Sequence, residues 1–562
     1  MKVKTIIKTG QLFMMAVLLA ACASEDVAQD KKKENETEAP KGGVIFAANE
    51  PKISAKRLSI GDEDEFADAK TRTNIKHTPG NGADAYWTSG DFIWVWDKNG
   101  NFQQSTHTEL HDGGASAEFT LPGSMSDYAD GCEVWYTLGG YAIIHPTAVY
   151  FSNDKQITAP NDFSIVGGDC GSGKAYATGN PAKFNFRLSH KAAYLCFLPR
   201  CENAALAPNI RLTKIRLTAT KCYNNPSYPL CDMYNFDGET IGPGAGYFPS
   251  NTMTMEVSDF PLFTTANQEA NAVCTIIRPD TYDFKIEYTI KDPTTNVETV
   301  VTQTLTNKTF DKGKIYDITA DLTPPTLPPY YMFDALNPYW YGYESFAPTT
   351  MGVQGQHYPD PGLAPGEVNG RFCHIAPASQ SCAICPNANE MCWYTILGDP
   401  HWQGGCTANL YGHLVTIGGM WLKKKAAIIR DNSGSGQAFS AANGGAARFS
   451  NGFPLDKNPA SPATNDKDFR TWNGLFPSVT NNAISTISSI SDLSNPDDYF
   501  FLPAAGWYST GYMEYIGSVG SYWSSDIDPR HSGYAYGINF SSSGIGVGII
   551  SPHNGYSVKA FE

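Results

Sequence analysis

The chain has 562 residues, room for three or four domains at roughly 150 residues each. Charged residues make up 17%, below the roughly 25% usual for soluble proteins, while aromatics reach 12% alongside 52 Gly and 36 Pro. That balance supplies sizeable cores, excludes global disorder and favours exported β-rich domains over a helical cytosolic enzyme. A net charge of −15 excludes nucleic acid as a partner, because a phosphate-binding surface needs clustered Lys and Arg.

Residues 1–21 read as a secretory signal: Lys2, Lys4 and Lys8 precede the short apolar run Leu12 to Ala21. The run falls short of the roughly 20 residues a bilayer span requires. It ends Leu19-Ala20-Ala21-Cys22, which resembles a bacterial lipobox, and that pattern makes Cys22 the lipid-attachment residue of an outer-membrane precursor. Ala23-Ser24-Glu25-Asp26 resembles the export tag of Bacteroidia surface lipoproteins, and residues 22–42 form a flexible acidic and Lys-rich tether. Thirteen cysteines is an odd count; with Cys22 reserved for lipid, twelve remain, and an exported setting favours disulfides among them.

Residues 43–204 read as a first β-sandwich. Val44 to Ala48 is a strand, and Trp87-Thr88-Ser89-Gly90-Asp91 is a turn leading into the aromatic strand Phe92 to Trp96. Further strands run through Val134 to Thr137 and Ala192 to Phe197, separated by Gly, Asn and Asp turns. Residues 205–323 continue as a second sandwich, in which Ile210 to Leu217 and Phe284 to Ile290 alternate apolar and polar residues. The Pro-rich stretch 324–329 reads as a stiff linker and the clearest domain boundary. Residues 330–562 carry seven of the eleven Trp and read as α+β, with helices expected over 420–430 and 483–493.

Several motifs in order resemble the fimbrillin proteins of Bacteroidia. They are the lipobox, the VIFAA strand, Thr71-Arg72-Thr73, Gly90-Asp91-Phe92-Ile93-Trp94-Val95, Phe186 to Ala193, and Phe310 to Ile318. The likeness is greatest to accessory tip subunits of the major fimbrium. The C-terminal series Leu502 to Gly506, Tyr522 to Ser525, Tyr534 to Phe540 and Gly555 to Lys559 is similar to C-type-lectin-like modules of Bacteroidia surface proteins. The resemblance implies a mainly β chain: two transthyretin-like, Greek-key sandwiches followed by an α+β lectin-like domain. It implies a non-enzymatic surface adhesin of the fimbrium tip, serving adhesion and biofilm formation. Its partners would be other fimbrial subunits and a host or bacterial receptor. It also implies assembly by strand exchange, in which a trypsin-like protease cuts beyond the first strand and a neighbour's strand fills the groove. Lys56, Arg57 and Arg72 are the candidate cleavage positions, and solvated loop cations are the alternative reading. A non-fimbrial surface lipoprotein binding glycan or host protein remains the second functional reading.

No catalytic constellation, metal site or cofactor is expected. Gly168 to Lys174 matches most of a phosphate-binding loop, but Ala175 stands where Mg²⁺ coordination needs Ser or Thr, so it reads as a surface turn. Cys373, Cys382, Cys385, Cys392 and Cys406 crowd into 34 residues. Disulfides are the expected use, with a zinc half-site, a redox pair or buried thiols as alternatives. Trp523-Ser524-Ser525-Asp526 only loosely echoes a calcium-binding lectin motif. Tyr339, Trp340, Tyr341, Tyr343 and Trp402 are candidates for stacking on a sugar or a protein partner, with core packing as the alternative.

Overall fold

The computed structural model describes residues 43–562 apart from 49–51, 59–73, 79, 81–82, 138–144, 165–166, 361, 363–368, 434–466, 475–478 and 532. The lipobox, Cys22, the tether and Arg72 therefore lie outside the described residues. The described chain is mainly β, as expected, and none of its helices is long and apolar enough to cross a membrane.

The first sandwich is one eight-stranded sheet folded over its own core. Its spatial order is Phe102–Gln104, Trp94–Trp96, Cys132–Thr137, Cys170–Ala177, Lys183–His190, Val44–Ala48, Ser116–Leu121 and His107–His111. Lys183–His190 alternates strictly, burying Phe184, Phe186 and Leu188 and leaving Asn185 and Arg187 exposed, the pattern of a sheet with one solvated face. Those three residues meet Phe46, Trp87, Phe119 and Tyr136 in the core. Gly168 to Lys174 is no surface turn. Cys170–Ala177 is an interior strand, and a Cβ on Gly173 would stand 1.9 Å from the Arg187 carbonyl.

The second sandwich packs a six-stranded sheet on a five-stranded one. The first runs Val273–Ile277, Ala193–Arg200, Lys314–Asp321, Lys52–Leu58, Ala83–Tyr86 and Asn74–His77. The second runs Asp154–Ile157, Thr252–Pro261, Arg211–Cys222, Asp280–Asp292 and Val297–Phe310. Phe197 meets Tyr288 between them, with ring centroids 6.3 Å apart. The strands therefore do not divide at residue 204. Ala193–Arg200 belongs to the second sandwich, as do Lys52–Leu58, Asn74–His77, Ala83–Tyr86 and Asp154–Ile157 from the nominal first segment. Local alternation marks a strand but carries no information on its partner: Lys52–Leu58 pairs in parallel with residues some 260 positions on.

Residues 324–329 are docked to the C-terminal domain rather than acting as a free spacer. The Asn409 N–H donates to Pro325 O (2.8 Å), the Leu327 N–H donates to Asn409 O (3.0 Å), and Leu327 is buried. The C-terminal domain is also tied to the second sandwich. The buried carboxylate of Asp292 accepts from the Leu414 N–H (3.0 Å) and pairs with His413 Nδ1 (2.9 Å), and Asn209 donates to Gly412 O.

In the C-terminal domain a six-stranded sheet and a four-stranded sheet surround the helix Ala388–Leu397. Asn387 caps that helix in a reciprocal box with Glu390, satisfying two otherwise orphaned N–H groups. Helix was expected over 420–430, but the strand His413–Lys423 fills the first part and the helix Lys425–Ser433 follows. Over 483–493 the structure has the strand Ser485–Ile487 and a single 3₁₀ turn, Ile490–Asp492. The serines explain it: Ser489 accepts from the Ser491 N–H as a cap, drawing the backbone into a turn despite the isoleucine spacing.

Candidate assembly and binding sites

The Val44–Ala48 strand is an interior strand. It runs parallel to Lys183–His190 on one side and antiparallel to Ser116–Leu121 on the other. Val44, Phe46, Ala47 and Ala48 are buried; Phe46 stacks on Phe184 at 4.7 Å and meets the edge of Tyr128 at 5.3 Å. Without this strand the sheet would present two unpaired backbone edges and an apolar trough lined by Phe119, Tyr128 and Phe184. Lys52–Leu58 is interior as well, between Lys314–Asp321 and Ala83–Tyr86. Arg57 lies within that strand, in register with Asp317, rather than in a loop.

At the opposite end of the chain, Tyr556–Ser557 sits between Tyr330–Tyr331 and Val519–Ile527. It is committed to its own sheet.

The five clustered cysteines separate. No Sγ–Sγ bond joins any two of the twelve cysteines among the described residues. Cys382 and Cys385 pack together beneath Trp523, with Cys373 beside them 3.4 Å from His553 Nδ1, while Cys392 lies on the central helix and Cys406 in another cluster. The neighbourhood is organised by Asp334, fully buried and at φ 46°. Its carboxylate accepts from the N–H groups of Ser379, Gln380 and Cys382 and pairs with His374 Nδ1. Burial, aided by Cys385, holds the Cys382 thiol far above its ordinary range, and burial lifts Cys373 to about 11 and raises Cys392 and Cys406. Raised thiol pKa values are the opposite of the lowered ones that activate a redox motif.

The aromatic candidates also divide. Tyr339 and Trp340 are fully buried and Trp402 nearly so, so these three are core. Tyr341 is 44% exposed, and Tyr343 stacks on His357 at 4.9 Å with Arg371 4.7 Å from its ring centroid. Phe346, Met351, Val353 and Tyr512 extend the exposed apolar surface. Backbone contacts of Gly352 with Met513 and of Gly355 with Gly511 hold the loop to the Tyr512 hairpin. The sequence pointed to Tyr341 and Tyr343 but not to the other four, which have no periodicity to mark them.

Other motifs prove structural. His401 pairs with Asp399 (3.5 Å) and Ser485 Oγ (2.5 Å), while Asp399 also accepts from the Tyr499 hydroxyl and pairs with Lys423. Asp526 accepts from the Ala388 N–H (2.7 Å) at the start of the central helix rather than facing a cation site. Burial first, then the neighbouring Asp468 and Glu390, lifts its carboxyl to about 6. A cleft of about 790 Å³ lies along the Pro-rich segment, lined by Pro325, Tyr331, Ile384, Phe501 and Lys559 among others.

No protein-family model and no curated protein matches the chain. Solved structures give likenesses. A candidate cell adhesion protein of Bacteroides ovatus is 16% identical with a TM-score of 0.29, over 50% of this chain and 92% of its own. One from Bacteroides fragilis is 12% identical with a TM-score of 0.27, over 50% and 92%. A fimbrial protein of Bacteroides ovatus is 11% identical with a TM-score of 0.24, over 92% of this chain and 98% of its own. At these identities and TM-scores the likenesses carry no argument about this chain's activity.

Proposed function

We propose that the protein is a non-enzymatic adhesive subunit of a surface fimbrium, delivered as an outer-membrane lipoprotein through Cys22 and assembled by strand exchange. The observation that carries this reading is the placement of Val44–Ala48 as an interior strand that the chain reaches before any other part of its sandwich. Its removal leaves a groove with both edges unpaired, able to bind an extended segment of a neighbouring subunit through main-chain hydrogen bonds. Arg57 is engaged in a ladder with Lys314–Asp321, whereas a protease needs an unpaired extended segment, which counts against Arg57 and leaves Arg72, outside the described residues, as the other candidate cleavage position. A cut there releases both Val44–Ala48 and Lys52–Leu58.

Tyr556–Ser557 is engaged in its own sheet and so is not itself offered to a neighbour. That engagement fits a place at a fibre end, where the aromatic face around Tyr341, Phe346 and Tyr512 would meet a host or bacterial receptor. Immunogold labelling tests the position: label is expected at fibre tips, and periplasmic label or even label along the shaft contradicts it. The exposed aromatic face also fits a glycan- or protein-binding surface lipoprotein outside any fimbria. Deleting the gene separates the two, since only the fimbrial reading predicts altered fibre composition.

A further inference from the structure

Four residues far apart in sequence meet under the Asn74–His77/Ala83–Tyr86 hairpin of the second sandwich. Cys274, Cys196 and Asp317 are cross-strand partners in one row of the six-stranded sheet. Residues in register on neighbouring strands project from the same face. Leu195 and Phe197 lie on the alternate face from Cys196, and Phe197 meets the facing sheet at Tyr288. The row therefore points away from the sandwich interior, beneath the hairpin.

His77 closes over the row, with Nε2 2.5 Å from Asp317 Oδ1. His77, Cys196, Cys274 and Asp317 are all buried, at 3% exposure or less. The donor atoms of His77, Cys196 and Asp317 all lie within 4.8 Å of one another. Cys274 is the cross-strand neighbour of Cys196 on the adjoining strand.

We propose that this cluster is a structural zinc site, with His77 Nε2, Cys196 Sγ and an Asp317 oxygen as ligands; Cys274 Sγ, outside that set of three but beside Cys196 across the strands, is the candidate fourth ligand and moves in with the ion. The donor chemistry selects the metal. Imidazole and thiolate with one carboxylate suit Zn²⁺, whereas Ca²⁺ and Mg²⁺ require oxygen ligands. Three of the donors are near the needed spacing: ligands at about 2.0–2.3 Å from a tetrahedral ion stand roughly 3.3–3.8 Å apart, so the His77–Asp317 contact opens by about 1 Å and the Cys274 side chain closes in when the ion enters. Supporting contacts orient the ligands. The Gly80 N–H donates to Asp317 Oδ2 (3.1 Å), and Gln268 Nε2 donates to His77 O (2.8 Å). The coordinating thiols bind as thiolates and release their protons to solvent. The ion would fasten residues 77, 196, 274 and 317 together, stapling the hairpin to the body of the sandwich.

The test uses the full chain purified without chelator or metal-affinity resin. Elemental analysis is expected to find about one zinc per chain, lost in Cys196→Ser and in His77→Gln. Stripped protein titrated with Co²⁺ should develop a thiolate-to-cobalt charge-transfer band, which persists in the Cys382→Ser/Cys385→Ser double variant and disappears in Cys196→Ser. If the site variants fail to fold, the cobalt band in the otherwise intact double variant decides. Absence of metal and of the band, metal retained in both site variants, or a Cys196–Cys274 disulfide in the native protein would each overturn the proposal.

Discussion

The two ends of the described chain are held in opposite ways. Val44–Ala48 is embedded in a sheet whose other strands come from residues 94–190, and it bridges Lys183–His190 to Ser116–Leu121. Tyr556–Ser557 is embedded too, but it shares its sheet with Tyr330–Tyr331 and Val519–Ile527, and the domain around it is cross-tied through Asp334 and Asp292. On the proposed reading, one end is an insert and the other a closure. The contrast teaches that burial alone does not make a strand permanent; what counts is whether the elements that bury it depend on it.

The largest effect that sharpens this contrast is at Phe46. Phe46→Ala should cost the N-terminal sandwich about 3–5 kcal/mol, because a fully buried ring stacked on Phe184 leaves a cavity. Chemical denaturation followed by domain-specific fluorescence should show that loss confined to the first sandwich, with the C-terminal transition unmoved. A joint shift of both transitions would break the comparison.

Next is Asp334→Ala, which strands the buried Cys382 N–H and the half-buried N–H groups of Ser379 and Gln380 and should destabilise the C-terminal domain by about 3 kcal/mol. Thiol titration of the folded variant should then reach Cys382, which is expected to stay unlabelled in the parent because it is fully buried.

Asp526 supplies a smaller effect of opposite sign. Its folded pKa of about 6 lies above the ordinary value of 3.8, so its contribution is fully present below about pH 4 and lost as pH rises through 6. Asp526→Asn, which keeps an acceptor for the Ala388 N–H, should therefore stabilise the protein at pH 7 by about 1–2 kcal/mol. The gain should vanish near pH 4; equal gains at both pH values would count against a raised carboxyl pKa.

The smallest stability change is expected on the aromatic face. Tyr341→Ala and Phe346→Ala should alter stability by no more than about 0.5 kcal/mol, since both rings are more than 40% exposed. Binding to receptor-bearing cells should fall severalfold, and unchanged binding would remove this face from the account.

Much of the strand content was legible because alternation is a local signal. Val44–Ala48, Arg211–Cys222, Asp280–Asp292 and Lys314–Asp321 all fall where apolar residues alternate or run together. Pairing was not legible, for Lys52–Leu58 and Ala193–Arg200 carry no mark of the distant strand they join. The central helix was missed because its buried residues surround it on all sides, leaving no amphipathic stripe. Its one readable signal was Asn387 followed by Glu390, a cap three residues from its partner. The His77, Cys196, Cys274 and Asp317 cluster was invisible for the same reason as the pairing, since its members converge only through the sheet. In the cysteine-rich stretch, crowding in sequence does not carry over to the fold: Cys392 and Cys406 pack in different clusters from Cys382 and Cys385.

The central claim is that Val44–Ala48 is a removable insert, and the N-terminal residue of the protein in assembled surface fibres tests it most directly. Mass spectrometry of purified fibres is expected to find a chain beginning at Thr73, after cleavage at Arg72, with a neighbouring subunit's segment cross-linkable to Phe184 and Phe119. An assembled chain that still carries Val44 would contradict it.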